Sequence, residues 1–151
     1  MKKAVVVDTS IVLKWVLDEP DSTLALALLT RWFNDEIVIQ APALLTYEVA
    51  NALFQRVRKG EIAAESAWQA FEDALFPELM LNFIEYTEIS KRAILLAHQY
   101  NLPATYDAHY LALAEHEKCE YWTADTRLCN AVRDKLPWVH QLSEYQGTMH
   151  Y

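Results

Sequence analysis

The chain has little glycine: only Gly60 and Gly147 occur among its 151 residues. Loops that cradle nucleotide phosphates, of the GxxxxGKS/T and GxGxxG kinds, need glycines at fixed spacings so that the backbone can approach the phosphate closely. Neither pattern can be written in this sequence. The scarcity of glycine therefore excludes most enzymes that bind a nucleotide cofactor.

Cysteine and long apolar runs are scarce as well. The two cysteines, Cys119 and Cys129, form neither a CxxC pair nor a disulfide framework, and we expect both to serve in packing. The first apolar run ends at Asp8 after four residues, which is too short for a membrane span or a secretory signal. We therefore expect a cytoplasmic protein without a membrane segment.

Positive charge is also in deficit. Lys and Arg number 13 against 21 Asp and Glu, which gives a net charge of −8 and a pI near 5.0. This balance counts against a protein that grips nucleic acid with a broad basic face. It permits a nucleic-acid enzyme that relies on a bound cation and a few local basic residues, and it suits a basic protein partner.

Hydrophobic residues are abundant, at 53% of the chain, and they include five Trp and eight Tyr. That composition predicts one folded domain, which we place at residues 1–145, followed by a loosely held tail at 146–151. So much apolar surface also favours an oligomer interface.

Short apolar runs alternate with amphipathic helical patterns along the chain. The predicted strands cover residues 4–8, 37–39, 81–86, 120–123 and 138–142. The predicted helices cover residues 11–17, 24–33, 42–59, 61–76, 90–100 and 105–116, and another begins at Asp125. This alternation predicts an α/β fold with a mainly parallel sheet of about five strands, joined by right-handed crossovers.

Four acids lie at the ends of predicted strands, at the starts of predicted helices or within a helix: Asp8, Glu48, Asp107 and Asp125. In an open α/β sheet such positions gather at the carboxyl edge. Two like charges about 4 Å apart cost about 4 kcal/mol at an effective dielectric of 20, so the cluster must take up protons or bind a cation. Because every candidate ligand is oxygen, that cation is Mg²⁺ or Mn²⁺ rather than Zn²⁺.

Each acid taken singly has an ordinary structural interpretation. Asp8 and Asp125 can cap helices, Glu48 can be a solvated helix residue, and Asp107 can complement the dipole of its helix. The positive ends of the helices also predict that Asp107 and Asp125 ionise readily. Four acids at such positions, in a consistent order along the sheet, favour a common site.

The segments around these acids carry a resemblance: Val-Val-Val-Asp8-Thr9-Ser10, Tyr47-Glu48-Val49-Ala50-Asn51, Thr105-Tyr106-Asp107-Ala108-His109-Tyr110 and Thr123-Ala124-Asp125-Thr126-Arg127-Leu128. In order and spacing they resemble the four motifs of PIN-domain ribonucleases, and among these the VapC-type toxins of bacterial and archaeal toxin–antitoxin pairs. The resemblance implies a three-layer α/β/α sandwich that cleaves RNA with Mg²⁺ or Mn²⁺. It also implies a homodimer and an antitoxin whose basic segment enters the acidic groove.

The same resemblance makes Asp8, Glu48, Asp107 and Asp125 the catalytic, metal-binding acids. Their expected supporting residues are Thr9, Ser10, Asn51 and Thr123, with Ser10 beside Asp8 and Asn51 placed to orient Glu48. Candidate contacts to RNA phosphates are Lys14, Arg56, Arg58 and Arg127. The motif lacks a further acid after Asp125, which leaves the number of metal ions open. Helix 61–76 is our candidate for a protein interface.

Three other functions compete with this one. A receiver-like signalling domain needs an acidic pair after the first strand and a Lys after the last, but Thr9 follows Asp8 and no Lys follows Leu142. An aspartyl phosphatase needs an acid two places after Asp8, where Ser10 stands. A PIN-domain nuclease that processes RNA or acts on DNA remains an open alternative.

Overall fold

The computed structural model describes residues 3–75 and 81–146. Its centre is a single five-stranded sheet in the order β3-β2-β1-β4-β5, in which every neighbouring pair is parallel. The strands are β1 Ala4–Val7, β2 Val38–Ala41, β3 Leu81–Phe83, β4 Glu120–Thr123 and β5 Val139–Gln141. The predicted α/β fold with a parallel sheet of five strands is confirmed.

Seven α-helices flank the sheet within the described residues. They are α1 Thr9–Val16, α2 Ser22–Asn34, α3 Leu44–Arg58, α4 Ala64–Leu75, α5 Thr87–Gln99, α6 Tyr106–Glu117 and α7 Thr126–Val132. A 3-10 helix, Leu142–Glu144, follows β5. None of the helices in the described ranges combines the length and the apolar character that crossing a bilayer requires.

Most differences from the predicted boundaries lie at element ends. Strand β3 stops at Phe83 rather than at residue 86, because Tyr86 is the extended N-cap residue from which α5 begins, three residues earlier than predicted. The predicted helix 61–76 begins at Ala64, and its last residue lies outside the described residues. Gln146 belongs to no helix or strand, and the rest of the predicted tail, 147–151, lies outside the described residues.

The layers are visible at two adjacent residues of β4. Tyr121 and Trp122 point to opposite faces of the sheet, as neighbours in a strand must. Tyr110 of α6 stacks on Tyr121, while Trp32 of α2 packs edge-on against Trp122 with ring centroids 6.3 Å apart. Helices α6 and α2 therefore cover opposite faces, as a three-layer α/β/α sandwich requires.

Strand β1 occupies the middle of the sheet, and Val5, Val6 and Val7 are buried there. A parallel sheet covered on both faces selects such continuous β-branched runs. Along the chain β1 connects first to β2 on one side, whereas β4 pairs with the other side of β1. The order of the strands thus reverses between β1 and β4, and ligands bind at the carboxyl side of such switch points.

Candidate active site

Two of the four acids flank this switch point. Asp8 follows β1 directly, and Asp125 follows β4 after one intervening residue. Both also cap helices: Asp8 Oδ1 accepts from the Ser10 amide at 3.0 Å, and Asp125 Oδ1 accepts from the amides of Arg127 and Leu128 at 2.9 and 3.2 Å. Asp8 and Asp125 are therefore N-caps of their helices and also lie at the carboxyl edge of the sheet.

Asp8 is only 5% exposed, and hydrogen-bond donors surround its carboxylate. Besides the Ser10 amide, Oδ1 accepts from Ser10 Oγ at 2.5 Å, and Oδ2 accepts from Tyr121 at 2.6 Å and from Thr123 Oγ1 at 2.5 Å. Burial raises the pKa of Asp8, and these hydroxyl donors oppose the rise by stabilising the anion. Four donors match the number of lone pairs that a carboxylate offers.

Ser10 and Thr123, two of the predicted supporting residues, also fasten the end of β1 to the end of β4. Ser10 Oγ accepts from the Ala124 amide at 2.8 Å, and Thr123 Oγ1 accepts from the Asp125 amide at 3.1 Å. The two hydroxyl oxygens are 3.3 Å apart. The backbone that carries Asp125 is therefore positioned by the same hydroxyls that hold Asp8.

Glu48 is half-buried on α3, and its Oε1 accepts a hydrogen bond of 2.5 Å from the hydroxyl of Tyr110. Burial raises the pKa of Glu48, and the charge of Asp8 adds to that rise. Asn51, which we expected to orient Glu48, instead accepts a long bond of 3.5 Å from Gln55. Thr9 Oγ1 is buried and has no hydrogen-bond partner of good geometry among the described residues.

Asp107 lies in the first turn of α6 and makes no side-chain hydrogen bond or ion pair within the described part of the chain. Burial raises its pKa to about 6, and the charges of Asp8, Asp125 and Glu48 contribute to the rise. The prediction that the helix start makes Asp107 ionise readily is wrong, because burial and three acids outweigh the dipole. Asp8, Asp125 and Glu48 are thus each near enough for their charge to act on Asp107.

Two tyrosines that the sequence analysis assigned no role hold two of these acids. Tyr110 and Tyr121 are buried and stacked, with ring centroids 6.0 Å apart and planes 13° apart, and they donate to Glu48 and Asp8 respectively. Burial and the charge of the neighbouring carboxylate raise the pKa of each phenol, so both remain donors. Helical spacing was the available signal for Tyr110, since it lies three residues after Asp107.

In the present arrangement, no three His, Cys, Asp or Glu side chains of the described residues come close enough together to hold a metal ion. Asp8 and one oxygen of Glu48 are engaged by hydroxyl donors. The donor chemistry nevertheless fits a hard cation, because Asp107 keeps both carboxylate oxygens free of hydrogen bonds to the described residues. None of the four acids pairs with a described Lys or Arg.

The four basic residues predicted to contact RNA differ in their surroundings. Lys14 and Arg56 are joined through Glu19, which lies 3.7 Å from Lys14 and pairs closely with Arg56. Arg58 donates to Gln55 at 3.0 Å and is exposed. Arg127, in the first turn of α7 beside Asp125, is exposed and has no side-chain partner among the described residues.

Comparison with known proteins assigns the family. A family model of the PIN domain matches residues 5–134. The structure is similar to PAE2754 from Pyrobaculum aerophilum, with a TM-score of 0.64 and 21% identity over 87% of both chains. It is also similar to a chain of a toxin-antitoxin complex from Klebsiella pneumoniae, with a TM-score of 0.56 and 19% identity over 93% of this chain and 99% of that one. No curated protein matches the sequence. The chain belongs to the PIN domain family.

Proposed function

We propose that this chain is a divalent-cation-dependent endoribonuclease and the toxin of a toxin–antitoxin pair. PIN domains are generally metal-dependent nucleases. The observation that carries the proposal is a group of four acids, two of which flank the switch point of the sheet, whose charges act on Asp107 and which no described Lys or Arg neutralises. A site with this much negative charge repels a phosphate group unless a cation binds between the acids and the phosphate.

The residues that would hold Mg²⁺ or Mn²⁺ are Asp8, Glu48, Asp107 and Asp125. A divalent ion bound there would lower the pKa of a water molecule and offset the charge of the phosphate that is cut. Asp107 is the acid whose oxygens are free to bind without breaking any described hydrogen bond. The predicted products carry 5′-phosphate and 3′-hydroxyl ends.

The hydroxyl groups around the acids keep the carboxylates in fixed orientations. Ser10, Thr123 and Tyr121 hold Asp8, and Tyr110 turns one oxygen of Glu48 toward α6. Hydrogen-bond donors that orient a metal ligand in this way also affect the affinity of the site for the metal. We also propose Arg127 as a contact to RNA phosphate, since it is exposed beside Asp125.

The test is cleavage of a mixed RNA pool, with end mapping, in Mg²⁺ and in chelator. Asp8→Asn and Asp107→Asn should abolish cleavage, whereas Asp134→Asn, an exposed acid outside the site, should cleave like the wild type. Unchanged cleavage by either of the first two variants would refute the assignment. Preferential cleavage of a DNA pool would favour the alternative of a PIN nuclease that acts on DNA.

The proposed antitoxin partner has a candidate surface on helices α3 and α4. Helix α4 turns Ala67, Ala70 and Ala74 toward the core, which leaves Trp68 69% exposed next to Phe54, 56% exposed, on α3. These two aromatic rings border an apolar cleft of about 330 Å³. The net charge of −8 suits a partner with a basic segment. The similar chain from a toxin-antitoxin complex supports this half of the proposal.

Expression of the chain alone should arrest growth, and co-expression of the neighbouring reading frame should restore it. Asp107→Asn should remove the toxicity and retain the partner in co-purification. Trp68→Ser should weaken partner retention and leave RNA cleavage unchanged. Growth without arrest would contradict the toxin role while leaving the nuclease proposal standing.

We further propose a homodimer, with exposed Ile94 and Leu95 of α5 as candidate contacts.

A further inference from the structure

A second concave site lies at the carboxyl edge of the sheet, beside the four acids. It is a cavity of about 420 Å³ between the segment that leads from β2 into α3 and the segment that leads from β3 into α5. Pro42 and Ile84 line it from these two segments, and His109 lines it from α6. None of the four acids assigned to the cleavage reaction lines this cavity.

Hydrogen bonds fix the polar wall of the cavity. His109 Nδ1 lies 2.6 Å from the carbonyl oxygen of Thr105, which can only accept, so Nδ1 carries the hydrogen in the neutral ring. Nε2 is then an acceptor, and Ser90 Oγ donates to it at 3.0 Å. The hydroxyl of Ser90 is therefore oriented, and its oxygen keeps acceptor capacity for a donor group in the cavity.

The charge and the remaining lining select the kind of ligand. Glu85 lines the cavity and no Lys or Arg is among its described walls, so a phosphate would meet a carboxylate without a permanent countercharge. Tyr86 is 48% exposed, and its ring is braced by His116 at a centroid distance of 5.0 Å. An aromatic ring, an apolar wall and an oriented hydroxyl are the means by which proteins hold an unpaired nucleobase.

The cavity adjoins the acidic site through two elements. Pro42 lies just before helix α3, which carries Glu48, and His109 shares the first turns of α6 with Asp107. The ring of His109 also lies within interaction range of the Glu48 carboxylate. A nucleic-acid strand whose phosphate lies at the acids would thus extend a neighbouring base toward this cavity.

We infer that the cavity binds one unpaired nucleobase of the RNA substrate, adjacent to the phosphate that is cut, and sets the base preference at that position. The inference rests on the proposed ribonuclease function. Tyr86 supplies the stacking surface, and Ser90, held by His109, accepts a hydrogen bond from the base edge.

The experiment measures cleavage of a short RNA library, randomised on both sides of the cut, by the wild type, Tyr86→Ala and Ser90→Ala. The matched controls are Phe33→Ala and Ser143→Ala, which remove an exposed ring and an exposed residue's hydroxyl away from the cavity. We expect kcat/KM on the preferred sequence to fall about tenfold in Tyr86→Ala, because one stacked base is lost. The preference should flatten at a single nucleotide position, and the controls should keep the wild-type profile.

Two results would overturn the inference: a wild-type profile in both cavity variants, or a loss of rate that is equal for all sequences. If the wild type itself fails to cleave RNA in Mg²⁺, the proposed function falls, and this inference falls with it. A binding measurement keeps the two failures apart. In the Asp107→Asn background, 2-aminopurine beside the cleavage position should be quenched on binding, and adding Tyr86→Ala should abolish the quenching. Equal quenching in the double variant would also overturn the inference.

Discussion

Without a bound cation, the stability of this protein should depend on pH through Asp107. Its pKa rises from the ordinary value of 3.8 to about 6 in the folded chain, because of burial and then the charges of Asp8, Asp125 and Glu48. A carboxyl group whose pKa is raised on folding binds more protons in the folded state than in the unfolded state. The free energy of unfolding should therefore fall as pH rises from about 4 to about 6 and stay low above that range.

The size of this effect follows from the same pKa values. A rise from 3.8 to about 6 corresponds to at most about 3 kcal/mol. Because Asp107 is only partly buried, solvent screens its charge, and we expect about 1 to 2 kcal/mol. For a chain of this length, each kcal/mol changes the melting temperature by about 2–4 °C. The effect is therefore within reach of ordinary thermal unfolding measurements.

The assay is thermal unfolding of the wild type and Asp107→Asn between pH 4 and pH 7.5 in chelator. The difference between the two proteins cancels the titrating groups that do not interact with Asp107, and the variant should gain stability relative to the wild type as pH rises. Asp134→Asn is the control and should follow the wild type. Mg²⁺ at pH 7 should stabilise the wild type more than Asp107→Asn. A difference between wild type and variant that does not change with pH would refute the electrostatic coupling.

Further changes separate positioning, RNA contact and packing. Tyr110→Phe keeps the stacked ring but removes the donor to Glu48, so the Mg²⁺ concentration for half-maximal cleavage should rise about tenfold or more. The control Tyr47→Phe removes an exposed hydroxyl and should leave that concentration unchanged. If Tyr110→Phe also leaves it unchanged, Tyr110 serves only in packing. Arg127→Ala should weaken RNA binding about equally for all sequences and lower the salt dependence by about one charge; a change in base preference instead would contradict a phosphate contact. Leu111→Ala, at a fully buried position of α6, should cost about 2–5 kcal/mol in denaturant unfolding without changing the cleavage pattern.

The sequence predicted the framework well because local patterns determine it. The β-branched run before Asp8 forms the central strand, and Leu45, Val49 and Leu53 form the buried face of α3 as their spacing indicates. The boundaries of β3 and α5 were less predictable, since an edge strand of three residues carries little pattern.

The parts of the site that could not be predicted depend on contacts between distant segments. Nothing in the local sequence states that Tyr110 rather than Asn51 contacts Glu48, because the first contact spans 62 residues. The raised pKa of Asp107 is unpredictable for the same reason: the helix dipole is a local property, whereas burial and three neighbouring acids are properties of the assembled fold.

The bonds from Tyr121 and Thr123 to Asp8 span 113 and 115 residues, which has a consequence for synthesis on the ribosome. A nascent chain that ends before β4 has the first motif but lacks these donors and Asp125 as well. Under the proposed ribonuclease function, the enzyme would thus stay inactive toward messenger RNA until most of its own polypeptide has emerged. Premature termination products should accordingly be harmless to the cell that makes them.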